Sequence, residues 1–116
     1  WDLEVFTMMR VRTVSVQMVR EVQGVVAALK AGGDSELAQQ LHRASRSVAL
    51  NVAEGLAFPR GARQANHLRL ALGSARESAA CMELAVVTGV LGGDEVEALA
   101  DRVDYVCRML FLLLRA

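Results

Sequence analysis

Apolar residues recur at alternating spacings of three and four along four stretches of the chain. The most regular runs are Ala65, Leu68, Leu72, Ala75, Ala79, Met82 and Val86, and then Val96, Leu99, Val103, Val106, Leu110 and Leu113. An earlier stretch carries Met8, Val11, Ser15, Met18, Val22, Val25 and Leu29, with one polar member. The next, Leu37, Leu41, Ala44, Val48, Asn51 and Gly55, ends on a polar residue and a glycine. This rhythm returns side chains to one face of an α-helix. The stretches are separated by Ala31-Gly32-Gly33-Asp34, by Gly55 to Gly61 with the single proline Pro59, and by Gly89 to Gly93. Asp34 or Ser35 is available as an N-cap for the second helix, and Asp94 with Glu97 reads as a capping box for the fourth. Proline removes a backbone donor and disfavours helix at Phe58, so the middle break falls there. The pattern predicts helices near 4–30, 35–55, 62–88 and 94–115. Short connections make sequential helices antiparallel, so the expected fold is an all-α, up-down-up-down four-helix bundle forming one domain over 1–116.

One stripe per helix does not use all the apolar residues. Val5, Phe6, Val14 and Val16 in the first helix and Phe111, Leu112 and Leu114 in the fourth lie outside or at the edges of the stripes. Extended apolar surface is uncommon on soluble monomers, which predicts self-association through parts of these two helices.

Composition narrows the chemistry. At 116 residues and 53% hydrophobic, the chain can bury a core, and 13 Lys plus Arg balance 13 Asp plus Glu, so no global field draws nucleic acid or acidic lipid. The longest apolar run of the last helix, Met109 to Leu114, is far short of a bilayer span. No basic flank and apolar signal core open the chain, which starts at Trp1 as if trimmed, and a cytoplasmic protein is expected. Cys81 and Cys107 are too few for a disulfide framework, and their predicted heights leave them about six residues apart, too far to bridge within one subunit. His42 and His67 have no Glu or His partner three or four residues away, and no glycine-rich phosphate loop is present. The serines sit mostly within helices, and nothing in the sequence marks a nucleophilic arrangement among them. A non-enzymatic chain without metal or cofactor is expected.

Charge is segregated along the sequence. From His42 to Arg76, the arginines Arg43, Arg46, Arg60, Arg63, Arg69 and Arg76 face one acid, Glu54, a net of +5. From Glu77 to Asp104, seven acids face Arg102, a net of −6. A turn near residue 58 places Arg46 level with Arg69, and Arg43 about two residues below Arg76. Two readings stand: the arginines hold nucleic-acid phosphates, or they pair with the acidic half within the bundle or across a subunit interface. Asn51, on a core stripe, is expected in a buried hydrogen-bond network that fixes helix register.

His42-Arg43-Ala44 followed by Ser47-Val48-Ala49-Leu50-Asn51-Val52-Ala53-Glu54-Gly55 resembles the helix-two signature of the four-helix-bundle proteins encoded in intervening sequences of bacterial large-subunit ribosomal RNA genes. Leu70-Ala71-Leu72-Gly73-Ser74-Ala75-Arg76-Glu77 is similar to that family's helix-three motif, and Asp2-Leu3-Glu4-Val5-Phe6 to its opening. Ala49 stands where the family usually has proline. The resemblance implies a homopentameric barrel with a central channel, and kinship to the accessory variability determinant proteins of diversity-generating retroelements. Those relatives are basic, bind nucleic acid and associate with a reverse transcriptase. It also implies a structural role for Asn51, Glu54 and Gly55, with Asn51 and Glu54 satisfying backbone or arginine groups. Gly73 with Ser74, next to Glu77, would let helices approach closely.

Overall fold

The computed structural model describes residues 2–115, and these form four helices: α1 (Leu3–Ala31), α2 (Ser35–Leu56), α3 (Ala62–Val87) and α4 (Gly93–Arg115). There is no strand among the described residues. Each helix packs on two others, α1 on α2 and α4, and α3 on α2 and α4. The result is an elongated body of 45 × 23 × 19 Å.

Local chemistry sets the helix ends. Asp2 caps α1 by accepting from the Glu4 and Val5 backbone N–H groups, and Asp34 caps α2 by accepting from Leu37 N–H at 3.0 Å. The box expected at Asp94 and Glu97 lies two residues earlier: Glu95 Oε1 accepts from the Gly92 N–H at 2.8 Å, at the start of α4. Helices α1 and α3 end in the same way. Gly33 (φ +92°) and Gly89 (φ +80°) take the left-handed conformation, while Asp34 N–H reaches back to Leu29 O and Val90 N–H to Ala85 O. Only glycine adopts that conformation without strain, which is why both breaks carry one there.

One core runs the length of the molecule, filled by Met18, Leu29, Leu41, Leu68, Met82 and Leu110 among others. The α4 stripe is buried as expected. In α3 four of the seven expected positions, Leu68, Leu72, Ala75 and Met82, are buried and Ala79 is exposed, while Gln64, Ala71, Ser78, Cys81 and Ala85 complete the buried face. Gln64 and Ser78 tolerate burial because they are bonded internally, Gln64 Nε2 to Phe58 O and Ser78 Oγ to Ser74 O. In α2, Val52 is buried and Asn51 only half-buried. Val14, expected as surplus, is fully buried, and Leu114 packs partly against the core. Exposed apolar side chains are spread over all four helices. They include Met9 and Val16 on α1, Leu50 on α2, Leu70, Leu84 and Val87 on α3, and Phe111 and Leu112 on α4.

Candidate functional site

The signature residues meet where α2 and α3 cross near the turn at 57–61. Asn51 Nδ2 donates to Ser47 O (2.9 Å) and Ser47 Oγ (3.1 Å), and Ser74 Oγ donates to Ser47 Oγ at 2.8 Å. Across the helix pair, His67 Nδ1 lies 3.2 Å from Asn51 Oδ1 and 3.3 Å from Glu54 Oε2. Both partners are acceptors, so the ring donates from Nδ1. The Phe58 ring stacks on His67 (centroids 5.7 Å apart, planes 13° from parallel), and the Arg63 guanidinium sits 5.1 Å from the Phe58 centroid. The result is a clasp of α2 onto α3. Of the backbone or arginine groups expected as partners, Asn51 satisfies a backbone carbonyl, that of Ser47, and Asn51 and Glu54 both meet His67 where an arginine was the alternative. The close approach is also at a different glycine: a Cβ on Gly55 would meet His67 Cβ at 3.1 Å and Leu68 Cδ2 at 3.3 Å, while one on Gly73 would meet nothing within 4 Å.

His67 is the member of this cluster that the sequence analysis missed. Its acidic partner is 13 positions away and on another helix, so a search three or four residues along one helix passes over it. The register explains more. Ser47 meets Ser74 and Asn51 meets His67, whereas a turn at residue 58 alone would put them opposite 69 and 65. Arg43 therefore shares a groove with Ser47, Ser74 and Glu77 instead of lying two residues below Arg76.

The six arginines do not form one patch. Arg46 turns toward α1, lining a groove with Val16, Val19 and Arg20, with its Nη1 3.5 Å from His42 Nε2. Arg60 is paired with Glu4 at 2.8 Å, and Arg63 covers Phe58. Arg76 is near enough to Cys107 to act on its thiol, which puts it on the α4 side of α3, and Arg69, seven residues earlier, shares that side. Among the described residues, Arg43, Arg69 and Arg76 have no carboxylate in ion-pair contact, and the acidic segment pairs with none of the six. Its one arginine, Arg102, makes a two-pronged bond to Glu21 (2.8 and 3.1 Å) that raises its already high pKa.

Cys81 and Cys107 are free thiols. Burial pushes both up in pKa. Glu77 adds to the effect at Cys81, and at Cys107 Arg76 opposes it while Asp104 adds to it. No group of three or more His, Cys, Asp or Glu among the described residues is placed to hold a metal ion. No helix there is long and apolar enough to cross a membrane.

These features describe a small all-helical bundle clasped at one end by a Ser-Asn-Glu-His network. Residues 7–111 match the family model of the 23S rRNA-intervening sequence protein, and the chain belongs to that family. Its fold is similar to the crystal structure of a protein of unknown function from the S23 ribosomal protein family of Bacteroides thetaiotaomicron. The TM-score is 0.85 at 18% identity, over 95% of this chain and 99% of that one. No curated protein matches the sequence significantly.

Proposed function

We propose that the protein is a non-enzymatic, cytoplasmic scaffold that assembles with itself, as a pentamer by the family resemblance, and holds RNA or DNA by its phosphates without reading bases. The observation that carries the reading is that, of the six arginines in the basic segment, Arg43, Arg69 and Arg76 have no hydrogen bond, ion pair or ring contact among the described residues, whereas Arg46 meets His42, Arg60 meets Glu4 and Arg63 covers Phe58. With zero net charge, attraction must come from such local cations, and symmetry would repeat them around a ring. The helices in this reading run up, down, up and down. The pairs Ser47 with Ser74, Asn51 with His67, Glu21 with Arg102 and Arg10 with Tyr105 support that course. Kinship to retroelement accessory proteins, with a reverse transcriptase as partner, extends the reading. The neutral charge sets this chain apart from those basic relatives.

A second reading, a protein-interaction oligomer with no nucleic-acid role, is favoured by the engagement of Arg60 and Arg63 and the turn of Arg46 toward α1. Binding of labelled RNA and duplex DNA across a salt series separates the two. The scaffold reading expects affinity that falls steeply between about 50 and 200 mM salt, and at least about tenfold weaker binding when Arg43, Arg69 and Arg76 are changed together to glutamine. Absence of binding at low salt, or binding indifferent to both changes, leaves the interaction oligomer.

A further inference from the structure

Where α2 meets α3 runs an open groove of about 490 Å³, a size typical of ligand clefts, lined by Gln40, Arg43, Ala44, Ser47, Ser74 and Glu77. The serine pair ties its two sides together. Two hydroxyls carry two protons, and the 2.8 Å bond between Ser74 Oγ and Ser47 Oγ uses one of them. Asn51 Nδ2 fills an acceptor position on Ser47 Oγ without using a proton of either serine. Whichever serine donates, one O–H is left with no acceptor among the described residues. A cation and an anion stand about one turn along each helix from that pair, Arg43 before Ser47 on α2 and Glu77 after Ser74 on α3. Both are exposed, and neither makes an ion pair or a hydrogen bond among the described residues, although they share the groove. None of the lining residues carries a ring and Ala44 alone is apolar, so nothing in the groove stacks on a base.

We propose that this groove recognises the ribose of an RNA backbone: Arg43 takes a phosphate oxygen, Glu77 accepts the 2′-hydroxyl proton, and the spare serine O–H donates to the 2′ oxygen. This rests on the nucleic-acid reading above and names the strand that the protein prefers. The chemistry matches group by group. A ribonucleotide carries a hydroxyl that both donates and accepts on the carbon next to the one bearing its 3′ phosphate, so an anion and a hydroxyl arrive together. A carboxylate holding a ribose 2′-hydroxyl is the pairing that dinucleotide-binding folds use. Beside a phosphate-binding arginine, a carboxylate opposes a polyanion unless it has a proton to accept. RNA supplies that proton at the 2′ position and DNA does not. Ribose is thereby told from deoxyribose with no base read, in keeping with a groove that offers no ring to stack on.

Equilibrium binding at a fixed salt of about 50 mM tests this with one single-stranded sequence in three forms: RNA, uracil-containing DNA and 2′-O-methyl RNA. The wild type is expected to bind RNA at least about tenfold tighter than either of the others. Glu77→Ala, checked for native helicity by circular dichroism, is expected to lose that margin by weakening RNA alone, with DNA held as tightly or more tightly. Glu77→Gln keeps an acceptor oxygen and is expected to retain part of the margin. A carboxylate that only repels behaves in the opposite way, its removal tightening RNA and DNA alike, and that result overturns the inference. Equal binding of RNA and DNA by the wild type, or a margin that survives Glu77→Ala, also overturns it. In each of these cases the phosphate reading stands. Binding of none of the three strands overturns both.

Discussion

Gly55 and Gly73 lie in the same pair of helices yet meet opposite surroundings. A methyl group at Gly55 presses on the first carbon of His67 and on Leu68, and neither the His67 backbone nor the neighbouring Gln64 carbonyl can move far. Gly55→Ala gains helix propensity but overpacks the clasp, and is expected to lower stability by about 1 kcal/mol. Gly73→Ala gains the same propensity into open space and is expected to raise stability by about 0.5–1 kcal/mol. Urea midpoints at unchanged slope check both. The buried Cys81 and half-buried Cys107 thiols give a pH effect of fixed sign. Their pKa values are raised on folding, so the folded state holds the proton more tightly, and the stabilisation is present below roughly pH 8.5 and lost as pH rises through the folded values. Unfolding measured at pH 8 and pH 10 is expected to show a loss that shrinks when Cys81 and Cys107 are both changed to alanine. At this scale the sequence pointed correctly to Asn51 as a network residue. It could not show that the network closes on His67, because that contact depends on the register between two helices and not on spacing along one.

The helices themselves were legible, with ends within about two residues of the observed ones, because glycine, proline and capping residues mark them. Asp34 donates nothing to the core, yet its cap on α2 makes Asp34→Ala worth about 1 kcal/mol of stability, measurable by thermal or urea unfolding. Which face of each helix is buried was read less well. Counting apolar letters in α3 finds Leu68, Leu72, Ala75 and Met82 but passes over Gln64 and Ser78, which are bonded inside the protein and so carry little burial cost. In α2 the apolar Val52 is buried beside the half-buried Asn51. Leu50, Leu70, Leu84 and Val87 lie off the expected stripes of α2 and α3 and are exposed, so the surplus apolar surface extends beyond α1 and α4 to all four helices.

At the scale of the whole molecule, segregation of charge in sequence does not become a single basic patch in space. Arg46, Arg43 and Arg76 come from one short stretch, but they face α1, the α2–α3 groove and α4 respectively. Helical rotation disperses neighbours in sequence, which is why the arginine cluster was visible in the chain and its distribution was not. What the molecule presents instead is an open, mostly apolar groove flanked by Arg20 and Arg46 between α1 and α2, with exposed apolar side chains on all four helices, on a subunit with zero net charge. Such a subunit is suited to joining copies of itself, and every functional reading offered above depends on that assembly. Static light scattering coupled to size exclusion, at micromolar concentration and about 150 mM salt, tests it most directly. The account predicts a single species at a multiple of 12.5 kDa, about 62 kDa for five copies of 12.5 kDa, and a mass of 12.5 kDa across the peak would contradict it.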